Sequence, residues 1–513
     1  MRDAPPSSFC WFDYETFGLS PIWDRPAQFA AIRTDADLEP IGEPEVLYCR
    51  QADDYLPHPA ACRVTGMTPA EANARGLPEH RFIERVRGLL GAPGTCSVGY
   101  NSVRFDDEFT RHTLFRNLRD PYAHEWKDGA SRWDLLDVVR LTRALRPDGI
   151  VWPTDDEGRP TNRLEHLATA NGLEAGRAHD ALADVRVTIA LARLIRERQP
   201  LLFAHALAHR GKRAVRALLE PHGRPPIAES PAGGEPRAAA ALDREPLVLV
   251  AAGIPASRHH LALVVPLVAH PTNPNAVIVF DLASDPSALV GLDADELAAR
   301  LFARGRTAAD RPERPGLHSV ATNKCPVVVP YRALRDVDAE RLGIDRDAQL
   351  RRREALGGLS LECVRNAFAR PPEDDSATDV DASLYAGDFL SAADRARLER
   401  MHTVEPDALG TPEGGFGDRR LDEMLFRFRA RNHPDTLDAS ERQRWREHVA
   451  ARLGAGPDAP WLGREGFERA MRDQPWTSGE HDLRHALQGH ADALCGAAGI
   501  LPEGEPRRIT RSG

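Results

Sequence analysis

The stretch that most constrains this chain is Phe9-Cys-Trp-Phe-Asp13-Tyr-Glu15-Thr-Phe-Gly18. A run of large apolar residues closed by glycine predicts a buried strand, and two acids break into it two positions apart. Side chains alternate across a strand, so Asp13 and Glu15 share one face. Neighbouring carboxylates at the end of a buried strand repel each other and lose hydration. The stretch contains no Lys or Arg, so a bound divalent cation is the expected counter-charge. The competing reading is a strand that ends in solvent with both acids exposed. A lone D-x-E does not decide between the two.

Other segments do. Asp106 lies in Gly99-Tyr-Asn-Ser-Val-Arg-Phe-Asp106-Asp107-Glu108-Phe109, and His179 and Asp184 lie in Ala178-His179-Asp180-Ala-Leu-Ala-Asp184-Val185. A five-residue step turns about 500° on an ideal helix and leaves two side chains ~140° apart. His179 and Asp184 therefore share a site only if His179 sits in the preceding loop or first turn. The ordered series D-x-E, N-x-x-x-F-D and H-x-x-x-x-D resembles the histidine subclass of the DEDD exonuclease superfamily, which cuts nucleic acids from the 3′ end with two metal ions. Asp24-Arg-Pro-Ala-Gln-Phe-Ala-Ala-Ile-Arg33, Ser131-Arg-Trp-Asp-Leu-Leu-Asp-Val138, Arg163-Leu-Glu-His-Leu167, Asn323-Lys-Cys-Pro326 and Phe428-Arg-Ala-Arg-Asn432 narrow the likeness to the bacterial exonuclease I family. The resemblance covers nearly the whole chain.

The family implies a multidomain α/β architecture: an RNase H-like exonuclease fold over 9–199, a β-rich SH3-like domain over 200–355 and a helical domain over 356–500. It implies that Asp13, Glu15, Asp106 and Asp184 hold two Mg²⁺ ions, with Mn²⁺ a substitute. His179 would be the general base on water, a role suited to a group titrating near neutrality. Asp107 leaves the register open by pattern alone; the family match selects Asp106. The activity implied is 3′→5′ removal of 5′-mononucleotides from single-stranded DNA, in cytoplasmic repair and recombination, by a monomer. The partner implied is the C-terminal tail of single-stranded-DNA-binding protein, with Arg332, Arg335 and Arg341 as contributors. Rival readings are an exoribonuclease or proofreading-type nuclease, and a non-catalytic single-strand-binding scaffold.

A strand-tracking enzyme needs a basic path with aromatic faces. Arg111, Tyr122, Trp126, Arg140, Arg146 and Arg163 offer one, with Lys212 extending it; Arg163 matches a substrate-contacting Arg of the family, and Glu15 would also face the substrate. Arg140 and Arg143 read equally well as a solvated helix face, and Trp126 as a core residue.

At 513 residues the chain is too long for one core, and the length suggests about three domains. No apolar run of ~18 residues predicts a membrane span, and Met1–Ser8 has no signal-like core. Seven cysteines, scattered and never in C-x-x-C, point to free thiols in a reducing compartment. The net charge of −10 does not exclude a nucleic-acid partner, because binding needs only a local basic groove. Only three of the 67 basic residues are lysine, and arginine grips phosphate bidentately and stacks on bases.

Apolar runs predict further strands at Gln28–Arg33, Pro44–Cys49, Thr95–Tyr100, Pro246–Ala251, His260–Val268, Asn275–Leu282 and Val327–Val329. Asp53–Gly66, rich in Pro and His, reads as a loop. Thr68 and Glu71 make a capping box around Pro69. Helices are expected at His80–Leu90, from Asp106 to Leu118, and at Trp133–Leu145, Leu164–Asn171, Ala181–Gln199 and His205–Glu220. The last is basic, with Arg210, Lys212, Arg213 and Arg216. Pro221–Ala241 reads as a flexible loop, and Arg304, Arg306, Arg311 and Arg314 fall in another. Leu421, Met424, Leu425 and Phe428 form a core stripe, with Arg427 and Arg431 one turn apart on its flank. Pro371–Asp381 is an acidic loop and Leu501–Gly513 a polar tail.

Overall fold

The structure is a computed structural model that describes residues 2–173, 180–220, 245–251, 253–303, 315–369, 379–386, 389–410, 412 and 415–500. His179, Pro221–Ala241, the Arg304–Arg314 cluster, residues 371–378 of the acidic loop and the tail from Leu501 lie outside the described residues. The chain divides into two compact units. One comprises Ser8–Ala130, Ala175–Arg186 and Asp375–Gly513; the other comprises Met1–Ser7, Ser131–Glu174 and Val187–Asp374.

The first unit is built on the opening apolar run. Strand β1 (Ser8–Thr16) lies between β2 (Pro26–Thr34) and β4 (Thr95–Gly99), with β3 (Glu45–Tyr48) outside β2. β1 and β2 are antiparallel from Phe9↔Thr34 to Glu15↔Gln28. β4 runs parallel to β1 but pairs only from Ser8↔Thr95 to Trp11↔Val98. The two faces of β1 differ in use. Cys10, Phe12 and Tyr14 pack with Phe29 and Ala31 against Phe82, Ile83, Val86 and Leu90 of the helix Glu79–Leu90, while Asp13 and Glu15 point the other way, as alternation requires.

The C-terminal helices of this unit close over the same sheet. Phe17, Tyr55, Leu56 and Cys62 share a core with Phe426, Trp445, Leu453, Phe467 and Leu487. The stripe Leu421, Met424, Leu425 and Phe428 is buried against Phe115, Leu118, Leu398 and Met401. On the flank of the helix Arg420–Asn432, Arg427 is buried and the side chain of Arg431 is 4% exposed. Arg431 Nη2 bonds Asp54 Oδ2 at 2.7 Å and Asp381 Oδ2 at 2.6 Å, and Arg427 Nη1 bonds Asp379 at 2.8 Å and Asp381 at 3.0 Å. The end of the expected acidic loop is thus a set of counter-ions. Within the expected loop Asp53–Gly66, Pro59–Thr65 is a helix. Pro59 fills its first position, the His58 ring accepts from Ala60 N, and Gly66 ends it at φ 72°, a left-handed stop that glycine adopts at no steric cost. Thr68 caps the next helix through Glu71 N.

In the second unit, β5 (Ser131–Asp134) replaces the expected start of a helix at Trp133. The Asp134 side chain accepts from Leu136 N at 2.9 Å, so the helix begins at Leu135. The expected basic helix His205–Glu220 is two helices, Pro200–Ala208 and Lys212–Leu219, parted at Gly211, whose backbone is extended. Five strands, β6 (Leu247–Val250), β7 (Leu261–Ala269), β8 (Ala276–Asp281), β9 (Leu317–Ala321) and β10 (Val327–Pro330), form an antiparallel sheet in the order β10-β6-β7-β8-β9. Leu249, Val264, Val277, Val279, Val320 and Val328 fill one face beneath Val215 and Leu219. β9 was not expected from sequence: His318 and Ser319 interrupt its apolar pattern.

All seven cysteines are free thiols, six of them buried. Among the described residues no helix is long and apolar enough to cross a membrane.

Candidate active site

β1 delivers Asp13 and Glu15 to the face opposite the Phe82 helix, and β4 stops pairing at Trp11, short of both acids. The chain leaves β4 through Gly99, where a Cβ would lie 2.5 Å from Ser102 Cβ and 3.2 Å from Phe12 O, so only glycine allows this close passage. Asn101 follows at φ 65°, and one short turn later the helix Asp106–Arg116 begins.

That helix is fastened to β1 at its first turn. Asp106 Oδ1 accepts from Tyr14 N at 3.2 Å. The Tyr14 hydroxyl lies 2.9 Å from Thr110 Oγ1, which donates to Asp106 O at 2.9 Å. Of the adjacent pair, Asp106 is the acid that acts on Asp13.

Asp184 arrives on the first turn of the helix Ala181–Arg198. Asp180 caps this turn, accepting from Leu182 N at 3.0 Å and Ala183 N at 3.3 Å. Gln28, paired with Glu15 across β1 and β2, takes the Ala181 N–H on its side-chain oxygen at 3.4 Å. One carboxylate oxygen from each of Asp13, Glu15 and Asp184 lies within 4.8 Å of the others.

Burial, then Asp106, Glu15 and Asp184, holds the Asp13 carboxyl well above the usual carboxylate range. Glu15 is pushed up to about 8 by burial, then by Asp184 and Asp180. Among the described residues, the charged neighbours that shift these two groups are acids. Hard oxygen donors gathered this closely, and raising one another's pKa, are the chemistry that suits a divalent cation. Asp180 was not singled out in the sequence; the signal for it was an Asp directly before an apolar helical run, a standard N-cap position.

The expected strand-contacting residues divide by engagement. Arg111 is 5% exposed at its side chain, with two bonds to Glu125 (2.6 and 3.0 Å) and one to Glu108 (2.9 Å). Arg140 bonds Asp137 at 2.6 Å, and Arg146 bonds Asp338 at 2.9 Å and Ala333 O at 3.0 Å. These three guanidinium groups are committed to acceptors within the fold. Arg143, read as part of a solvated face, bonds Thr161 O and Asn162 instead. Arg163 is exposed and begins the helix Leu164–Asn171. Lys212 is exposed, its Nζ 2.8 Å from Asn275. Tyr122 is half-buried, and Trp126 is exposed rather than in the core. Arg332, Arg335 and Arg341 are all exposed, and the latter two pair with Asp338.

The sheet thus gathers acids from β1, the Asp106 helix and the Asp184 helix, and the class of protein is an exonuclease. The family model described as Exonuclease matches residues 10–192, that of the Exonuclease I SH3-like domain 237–368, and that of the Exonuclease I C-terminal domain 378–486. Exodeoxyribonuclease I of Escherichia coli (strain K12) is 46% identical over 444 residues, 86% of this chain and 89% of that protein. Three solved exonuclease I structures, the first two of the E. coli enzyme, are similar, each 43% identical and covering 95% of this chain. The complex with a dA16 oligonucleotide has TM-score 0.84 over 100% of that chain. The zinc-ion-bound complex with single-stranded DNA has 0.83 over 99%, and the SSB/Exonuclease I complex with an inhibitor has 0.80 over 100%. The chain belongs to the exonuclease I family.

Proposed function

We propose that this chain is an exodeoxyribonuclease that shortens single-stranded DNA from its 3′ end and releases 5′-mononucleotides by phosphodiester hydrolysis. The observation that carries the reading is the meeting of Asp13, Glu15 and Asp184 within 4.8 Å, with Asp106 anchored on Tyr14 N beside them. Asp13, Glu15, Asp106 and Asp184 would hold divalent ions, Mg²⁺ with Mn²⁺ as substitute. Bound there, such ions supply charge stabilisation to a nucleophilic water and to the leaving 3′ oxygen. Tyr14 N and Thr110 fix Asp106, and Asp180 and Gln28 fix the turn that carries Asp184; His179 would accept the water proton.

Glu15, Arg163, Tyr122, Trp126 and Lys212 would meet the strand directly. Arg111, Arg140 and Arg146, held by acceptors of the fold, would position the surfaces that do. The division 9–199, 200–355 and 356–500 belongs to this reading. So do a cytoplasmic monomer working in repair and recombination and an SSB tail partner with Arg332 among its contacts. The relatives' DNA, zinc and SSB complexes support it.

The test is a 5′-labelled oligonucleotide digest. A ladder shortened from the 3′ end on DNA in Mg²⁺, abolished by EDTA and much slower on matched RNA, is expected. Equal rates on RNA would favour an exoribonuclease, and no shortening would favour a scaffold.

A further inference from the structure

Glu15, Gln28 and Tyr48 stand in register across three strands. Glu15 of β1 lies opposite Gln28 of β2, and Gln28 lies opposite Tyr48 of β3. Residues directly opposite on antiparallel strands share one face of the sheet. A single polar row therefore runs from the acid cluster to the outer strand.

The middle member decides how the row works. Gln28 is 3% exposed, and its amide has one accepting end and one donating end. The Ala181 N–H can only donate, so it meets Gln28 Oε1, at 3.4 Å. That orientation turns Nε2 outward, where it donates to the Tyr48 hydroxyl at 2.9 Å. The half-buried Tyr48 ring is held in turn: the Arg75 guanidinium lies over it at 3.8 Å and pairs with Glu71 at 3.2 Å. At the other end of the path, Ala181 opens the helix that carries Asp184, and Asp184 N donates to Asp180 O at 3.0 Å. Without the Tyr48 hydroxyl the buried Nε2 loses this acceptor, and an amide that swings to find another takes Oε1 away from Ala181. A neutral amide suits the place. A carboxylate there would add another acid beside Glu15, and a cation would compete with a bound metal for it.

We infer that Tyr48, acting through Gln28, is a positioning residue for Asp184, so that the outer strand of the sheet sets how tightly the acid cluster holds a divalent ion. This rests on the reading of Asp13, Glu15 and Asp184 as metal ligands.

The test uses the full chain without DNA. Isothermal titration calorimetry gives the affinity for Mn²⁺, and hydrogen exchange of the metal-free protein gives protection at the Ala181 amide. Gln28→Leu is expected to weaken Mn²⁺ binding about tenfold, the scale for a group that orients a ligand, and Tyr48→Phe about threefold. Both variants exchange the Ala181 amide faster than wild type. The double variant binds no worse than Gln28→Leu alone, because the two side chains act along one path. Tyr48→Phe removes only a hydroxyl from a half-buried ring, so it decides the matter even if Gln28→Leu does not fold. Unchanged affinity and exchange in Tyr48→Phe, or losses that add in the double variant, overturn the inference. A wild type that takes up no Mn²⁺ overturns the metal reading instead, and the exchange comparison still decides whether Tyr48 holds the Asp184 turn.

Discussion

Asp13 lies where three other acids act on it: Asp106, Glu15 and Asp184. Replacing Asp106 or Asp184 with Asn keeps the volume and removes one ligand charge. Each replacement is expected to lower turnover on single-stranded DNA at least about 100-fold, a loss of ~2.7 kcal/mol of transition-state stabilisation. Steady-state rates at saturating Mg²⁺ check this, and a rate within tenfold of wild type would remove that acid from the ligand set. His179→Ala is expected to reduce turnover to a similar degree while sparing affinity for the strand in EDTA. Coupled loss of both would point to folding rather than proton transfer. At this scale the sequence was informative where chemistry concentrates charge in an apolar run, as at Asp13 and Glu15. It was silent where a role depends on a remote partner. Glu108, three residues before Arg111 on its helix, is a pairing the sequence allows, but nothing local announces that Glu125 will also claim the guanidinium.

The element with most at stake is the helix Arg420–Asn432, because its Arg431 is buried between Asp54 and Asp381. Burial alone would raise both carboxyls; Arg431 overcomes it and holds them well below the usual range. Arg431→Ala would leave two buried acids without this cation and is expected to destabilise the protein by about 3–5 kcal/mol. Chemical denaturation measures the loss, and a change below ~1 kcal/mol would mean water reaches the acids. Helix existence here was plain from the i, i+3, i+4, i+7 stripe. The ion cluster was not, because Asp54 and Asp381 are 377 and 50 residues away from Arg431. The helix Pro59–Thr65 was missed for a local reason: Pro and His suit a loop, yet Pro59 at a first position and Gly66 as a left-handed stop also delimit a helix.

At the scale of the molecule, acid sensitivity follows from buried histidines. Burial lowers His80 and His402 to about 4 and His112 to about 3. The unfolded chain protonates these rings near 6.5 while the folded chain keeps them neutral, so their contribution is complete above that pH. It is lost as pH falls from about 6.5 towards 4, and the Asp54 and Asp381 contribution follows only below about 4. Asp13 and Glu15, raised above the carboxylate range, gain stability as pH falls over the same interval and oppose this. The histidine effect is therefore read in a variant with Asp13→Asn and Glu15→Gln, whose denaturant midpoints should fall between pH 7 and pH 5; a flat or rising profile there would contradict the burial of these rings. The overall organisation was legible because each module writes its own period: apolar runs for the two sheets, a 3.6-residue stripe for the C-terminal helices. Boundaries such as Trp133 and Gly211 were less so, since one capping Asp134 or one extended glycine decides them.

The central claim is that acids remote in sequence converge to hold divalent ions for 3′-end hydrolysis. Its most direct test is a digest of 5′-labelled single-stranded DNA by wild type and Asp184→Asn, each with Mg²⁺ and with EDTA. Stepwise shortening by the wild type in Mg²⁺ alone, and nearly none by the variant, is the result predicted. Wild-type rates in Asp184→Asn, or shortening that persists in EDTA, would contradict the account.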